Sequence, residues 1–206
     1  MGWVWAGAVV VSILGVLGAG LAAAAGYRLR RRCGMPAGTA RRFSAAEFGM
    51  VAGTLPWLWL TLTPRPHARL VHLIPLSDLV DQVRTMPAGW VAEQAVGNLL
   101  VFAALGFCAP IRYAALARFG RILLLGAAAS AVIEILQYAL DIGRVSSVDD
   151  VLLNASGAAL AGLLSRRWWA TRPGESGRTG GAGRAGSPPA PAVVPGPGSR
   201  TTPPDR

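Results

Sequence analysis

The chain has 206 residues, enough for one domain or two. Hydrophobic residues make up 52% and charged residues only 15%, against about a quarter charged in a soluble domain, which excludes an ordinary cytosolic enzyme and a coiled coil. The net charge of +10 comes from twenty arginines and no lysine; they flank long apolar runs, as in a polytopic membrane protein, so nucleic acid is not an expected partner.

Residues 1–27 carry no charge and are long enough to cross a hydrocarbon core of roughly 30 Å. The basic cluster RLRRR at 28–32 follows this stretch, whereas a signal peptide carries its positive charge first. The first span is therefore read as a retained helix. A second span is expected at 44–63, kinked at Pro56.

The connection 64–93 is the longest between spans. Leu76, Leu79, Val80 and Val83 recur at helical spacing behind Ser77, a candidate N-cap. This pattern predicts a short amphipathic helix on the outer interface, with packing against the bundle an equal explanation. His67 and His72 stand five apart near Asp78 and Asp81; a helical metal pair favours a spacing of four, and no metal site is expected.

Span 3 is expected at 94–111 and span 4 at 121–140. Span 5, at 149–167, has an uncharged core of only Val151 to Ser165. Arg166, Arg167, Trp168 and Trp169 after it read as an interfacial belt with snorkelling arginines. From Thr171 to Arg206 there are eight Gly, eight Pro and almost nothing apolar, so a disordered tail is expected. Cys33 and Cys108 belong to no CxxC or Cys/His cluster, and neither a disulfide framework nor a cofactor is indicated.

Six arginines lie in 28–42, three in 112–121 and seven after span 5, all on one side of a five-span arrangement. Arg65, Arg69, Arg84 and Arg144 fall on the other. The positive-inside rule then puts the C-terminus in the cytoplasm and the N-terminus outside. The expected protein is an all-α, polytopic membrane helix bundle of about five transmembrane helices in the plasma membrane. Residues 1–63 form two N-terminal spans, 64–170 the outer loop and three further spans, and 171–206 the tail.

Polar residues inside the spans mark the candidate site, because an ionisable group near mid-membrane costs about 2.5–3.5 kcal/mol on insertion scales and usually faces a bundle interior or a wet cavity. Ser130, Glu134, Gln137 and Asp141 share one face of span 4. Asp150 and Asn154 share a face of span 5, continued by the small residues Gly157 and Ala161. Span 3 adds Gln94 and Asn98. Arg144, in the turn between spans 4 and 5, is placed to neutralise Glu134, Asp149 or Asp150. Against a functional reading, Ser146 and Ser147 suit an N-cap of span 5, Asp149 suits its first turn, and Asn98 and Gln137 can simply bond helices together.

The stretches GNLLVFAALGFCAP at 97–110, IEILQ at 133–137 and GRVSSVDDVLLNASGAALAG at 143–162, with LIPL at 73–76, resemble the VanZ-like family in content and order. The resemblance covers about 73–165 and implies that Asn98, Glu134, Gln137, Arg144, Asp150 and Asn154 are this chain's signature positions. Family members often carry proline where Ala104 stands and an acid where Ser147 stands; the second departure weakens a metal-binding reading. The family takes its name from a protein linked to resistance to glycopeptide antibiotics, above all the lipid-tailed teicoplanin class.

Three functions remain open at this stage. The first is a non-enzymatic envelope protein. It would hold a membrane lipid, a lipid-linked cell-wall precursor or a lipoglycopeptide in an outward-facing polar pocket, as a monomer or an oligomer. The second is a membrane enzyme using Glu134 and Asp150 as acid and base, although GxSxG, HExxH and P-loop signatures are absent. The third is a small proton-coupled transporter relaying through Glu134, which the lack of an inverted repeat disfavours in a monomer.

Overall fold

A computed structural model describes residues 2–64, 70–143 and 145–170; Arg144, His67 and the expected disordered tail at 171–206 lie outside the described residues. All described residues belong to one unit, Met1–Arg172.

Helix α1 (Gly2–Arg32) is apolar around its whole circumference until its last turn, the pattern of a helix surrounded by hydrocarbon. It ends at Gly34, whose φ of 81° only glycine adopts without strain, and Pro36 starts α2 (Ala37–Leu62). The two helices form an antiparallel hairpin in close contact. A Cβ on Gly15 would meet Leu55 Cδ2 at 2.0 Å, and one on Gly7 would meet the Trp59 ring at 2.8 Å.

After α2 come strand β1 (Leu70–His72), helix α3 (Ser77–Thr85), then α4 (Ala88–Val101) and α5 (Ala103–Arg112). The third expected span is this α4–α5 pair, longer than its sequence-based bounds and broken at Phe102, whose φ of −113° and ψ of 13° leave the helical region. The break is not driven by proline, since Ala104 stands where family members often have one. Phe102 instead turns into the core with Val101, Ile122, Ile133 and Ala158. Helix α6 (Phe119–Ala139), strand β2 (Val145–Ser147) and helix α7 (Val148–Leu164) follow, with short 3-10 turns at Ala114–Leu116 and Arg166–Trp168.

Among the described residues, three helical segments are long and apolar enough to cross a membrane: Val9–Arg32, Ala88–Arg112 and Phe119–Ala139. The other two of the about five expected spans, α2 and α7, fall short of that measure of length and apolarity, so the count by it is somewhat lower than five, although both run from one end of the bundle to the other. Helix α7 has 17 residues, about 26 Å at 1.5 Å per residue, at the lower limit for a crossing. Helix α2 has the length, but Arg41, Arg42 and Glu47 occupy its first turns and Pro56 interrupts it.

Helix α7 is the axis of the family-like half. Its small residues let neighbouring backbones touch: a Cβ on Gly157 would lie 1.9 Å from the Leu99 carbonyl oxygen, and one on Gly106 of α5 2.0 Å from that of Ala158. The expected small-residue stripe thus faces inward, with Gly157 and Ala161 both buried. At the end of α7, Trp169 turns back and donates its Nε1–H to the Gly162 carbonyl at 3.0 Å and to Ser165 Oγ at 3.1 Å. It satisfies an orphan helix terminus, so of the two tryptophans only Trp168 stays on the surface, under the Arg167 guanidinium at 3.8 Å.

The bundle has two chemically different ends. The C-terminal ends of α1, α5 and α7 and the N-terminal ends of α2 and α6 meet at one of them, tied by Arg30 and Arg112 to Glu47 and by the Ala170 N–H to the Pro110 carbonyl at 2.9 Å. At the other, β1 and β2 pair in parallel, Leu70 with Val145 and His72 with Ser147. This ladder, absent from the sequence-based picture, puts the 64–93 connection and the α6–α7 turn on the same end.

Candidate functional site

The polar face of α6 follows the expected stripe only through Gln137. The helix ends at Ala139, and Asp141 sits beyond it in a left-handed turn with φ 49°. Ser130 is completely buried and Gln137 nearly so, whereas Glu134 is half-buried.

Each of these residues has a definite partner. Asn154 Nδ2 donates to Ser130 Oγ at 2.7 Å, joining α7 to α6 in the bundle interior. Gln137 Nε2 donates to the Thr61 carbonyl at 2.8 Å, joining α6 to the end of α2. Asn98 Nδ2 donates to Asp150 Oδ1, joining α4 to α7. Glu134 Oε2 accepts the Ser147 N–H at 3.3 Å, and its backbone carbonyl accepts Ser146 Oγ at the same distance. Glu134 thereby holds β2 against α6.

Asp149 has the role that the sequence conceals. The structure bears out Ser147 as the N-cap of α7, its Oγ accepting the Asp149 N–H at 3.1 Å. The carboxylate of Asp149, however, serves a second helix. Its Oδ1 accepts the Leu76 N–H at 2.5 Å and its Oδ2 the Leu79 N–H at 3.0 Å, so it caps α3. Ser77, the expected cap, instead donates Oγ to the Ile74 carbonyl at 2.7 Å. Leu76 takes the N-cap position with φ 66°, an unusual conformation for a branched residue, held by that charge-assisted bond.

These contacts shape a groove of about 390 Å³ between β1, β2, α6 and α7. Its walls are mostly apolar, including Val71, Leu73, Ala131, Ile135 and Val151, while Glu134, Ser146 and Ser147 supply its polar groups. Small-molecule sites typically have this composition and measure about 300–1,000 Å³. Ile135 and Leu73 on its rim are exposed, so the groove opens on the side of α6 as well as at its end.

Of the six residues singled out from sequence, Glu134 lines this groove. Asn98 and Asp150 meet each other, Gln137 and Asn154 engage neighbouring helices away from it, and Arg144 lies outside the described residues. Span 3, expected to form part of the pocket wall, contributes nothing to the lining. Val71 and Tyr138 were invisible as groove residues because a strand pairing brings one of them there and the other lies off the polar stripe. Among the described residues no three His, Cys, Asp or Glu side chains converge to hold a metal; His72 Nδ1 lies 3.2 Å from Asp78 Oδ1.

The VanZ/LLP1 family model matches residues 50–169, more than half of the chain, and the chain belongs to that family. No curated protein and no solved structure matches it.

Proposed function

We propose that this VanZ/LLP1 family member is a multi-pass plasma-membrane protein that binds a membrane lipid or a lipid-linked envelope molecule in the groove beside Glu134. The observation that carries the reading is the groove itself: ligand-sized, apolar along most of its wall and polar at Glu134, Ser146 and Ser147. Such a lining suits a hydrocarbon chain ending in a hydrogen-bonding head. The arginine bias of the flanking segments supports an orientation with this end outside the cell. There, a protein that captures lipid-tailed molecules would lower the access of a teicoplanin-type antibiotic to its target and contribute to resistance.

The geometry favours binding over acid–base catalysis. Glu134 faces the groove, while Asp150 is bonded to Asn98 and is not part of the lining, so the two carboxylates do not flank one substrate position.

Lipid mass spectrometry of the purified protein tests the proposal. One lipid class should co-purify at near-stoichiometric amount, and Ala131→Phe, which fills the groove, should release it. Unchanged retention in that variant would place the ligand elsewhere. Conversion of the retained lipid on incubation would replace the binding reading with an enzymatic one.

A further inference from the structure

At the end of the bundle opposite the groove, two arginines share one carboxylate oxygen. Arg30 Nη2 and Arg112 Nε each lie 2.5 Å from Glu47 Oε1, and Arg30 Nη1 donates to Ser44 Oγ at 2.6 Å. The Arg112 guanidinium also packs 4.9 Å from the ring centroids of both Phe43 and Tyr113, and Arg42 lies 5.7 Å from that of Phe43. Two guanidinium groups thus share a single carboxylate and a third lies against the neighbouring Phe43 ring, a net charge of +2 over Arg30, Arg42, Arg112 and Glu47.

No other acid among the described residues relieves this excess. Asp78, Asp81, Glu93, Glu134, Asp141, Asp149 and Asp150 all belong to the groove end or the connections there. The position is also specific. Arg112 is the last residue of the crossing segment Ala88–Arg112, and Arg30 lies two residues before the end of Val9–Arg32, so both cations sit where helices leave the hydrocarbon. Basic pockets between membrane helices at this level recognise anionic headgroups. Arg112 meets Glu47 through Nε, and the aromatic faces of Phe43 and Tyr113 fix its plane; the Nη edge of a guanidinium held this way matches a phosphate.

We propose that the Arg30–Glu47–Arg112 cluster, with Arg42, is a headgroup site for an anionic phospholipid of the leaflet at the basic end. The phosphate docks against Arg112 and Arg42 beside Phe43. Glu47 is an internal counter-anion that keeps Arg30 and Arg112 together when the site is empty. The site is independent of the groove, and it joins α1 and the start of α2, which precede the family-matched residues 50–169, to α5 within them.

The test is thermal stability in nanodiscs of phosphatidylcholine with increasing phosphatidylglycerol. Wild type should gain stability and saturate, and Arg42→Gln, which breaks no ion pair among the described residues, should lose at least half of the gain. Glu47→Gln should melt lower in pure phosphatidylcholine and gain more from phosphatidylglycerol than wild type does, because the phosphate replaces the missing carboxylate. Arg84→Gln, at the groove end, should respond as wild type. Equal melting in both lipids, an undiminished gain in Arg42→Gln, a Glu47→Gln variant that phosphatidylglycerol does not restore, or a diminished gain in Arg84→Gln would each overturn the proposal. So would an equal gain from inorganic phosphate, which would make this a site for soluble anions.

Discussion

Asp149 and Leu76 stand 73 residues apart in sequence, and the carboxylate of the first holds the backbone N–H of the second at 2.5 Å. With the Leu79 N–H on its other oxygen, one side chain from the first turn of α7 organises the start of α3. Because Asp149 is only 3% exposed, water cannot take its place.

Replacing Asp149 with Ala should therefore cost about 2–3 kcal/mol, the range for losing charge-assisted bonds to buried donors. Asn, with one acceptor oxygen, should recover part of the loss. Denaturant titration in detergent measures the cost. Hydrogen exchange should show the Leu76 and Leu79 amides losing protection while amides in the middle of α6 keep theirs; uniform loss would mean that the cap is not local.

Two glycines on facing helices predict opposite outcomes for the same substitution. Gly157→Ala would place a methyl 1.9 Å from the Leu99 carbonyl, a backbone atom that cannot swing away, whereas a Cβ on Gly97 meets nothing within 4 Å. Gly157→Ala should lower stability by about 3 kcal/mol through forced separation of α4 and α7. Gly97→Ala should be neutral or stabilise by up to about 1 kcal/mol through helix propensity. Melting temperatures of the two variants in one detergent decide the matter; similar losses would show that α4 and α7 do not pack at the described separation.

The membrane orientation is open to a direct assay. A reporter active only in the cytoplasm should work when fused after Arg206 and stay silent when fused at Thr85. The reverse pattern would put the groove inside the cell and remove it from any contact with extracellular antibiotics.

Sequence periodicity revealed what is local. The helical spacing of Ser130, Glu134 and Gln137, the small stripe on α7 and the Ser147 cap all depend on neighbours within a few turns, and the structure keeps each of them. What stayed hidden depends on contacts across the chain. Three-residue strands have no pattern length from which to read a partner, so the pairing of Leu70–His72 with Val145–Ser147 was unseen, and the groove wall it builds was unseen with it. Asp149 looked sufficient as a first-turn acid in its own helix, which masked its service to another. Glu47 gave no sequence signal of a site because Arg30 and Arg112 reach it from 17 and 65 residues away. The stripe to Asp141 failed for a different reason: periodicity does not announce that a helix stops two residues earlier.

The parallel ladder also sets an order of events at the ribosome. Leu70 and Val145, its first matched pair, are separated by four successive α-helices, α3 to α6. At roughly 5–20 residues per second, Leu70 waits on the order of 4–15 s for its partner to be synthesised. Through that interval α3 lacks the carboxylate that caps it, and the groove lacks the walls formed by β2 and α7. The ligand-sized space is therefore among the last features of the protein to exist. A nascent chain interrupted before residue 145 would carry all three of the long apolar segments Val9–Arg32, Ala88–Arg112 and Phe119–Ala139, yet lack the groove proposed to hold a lipid.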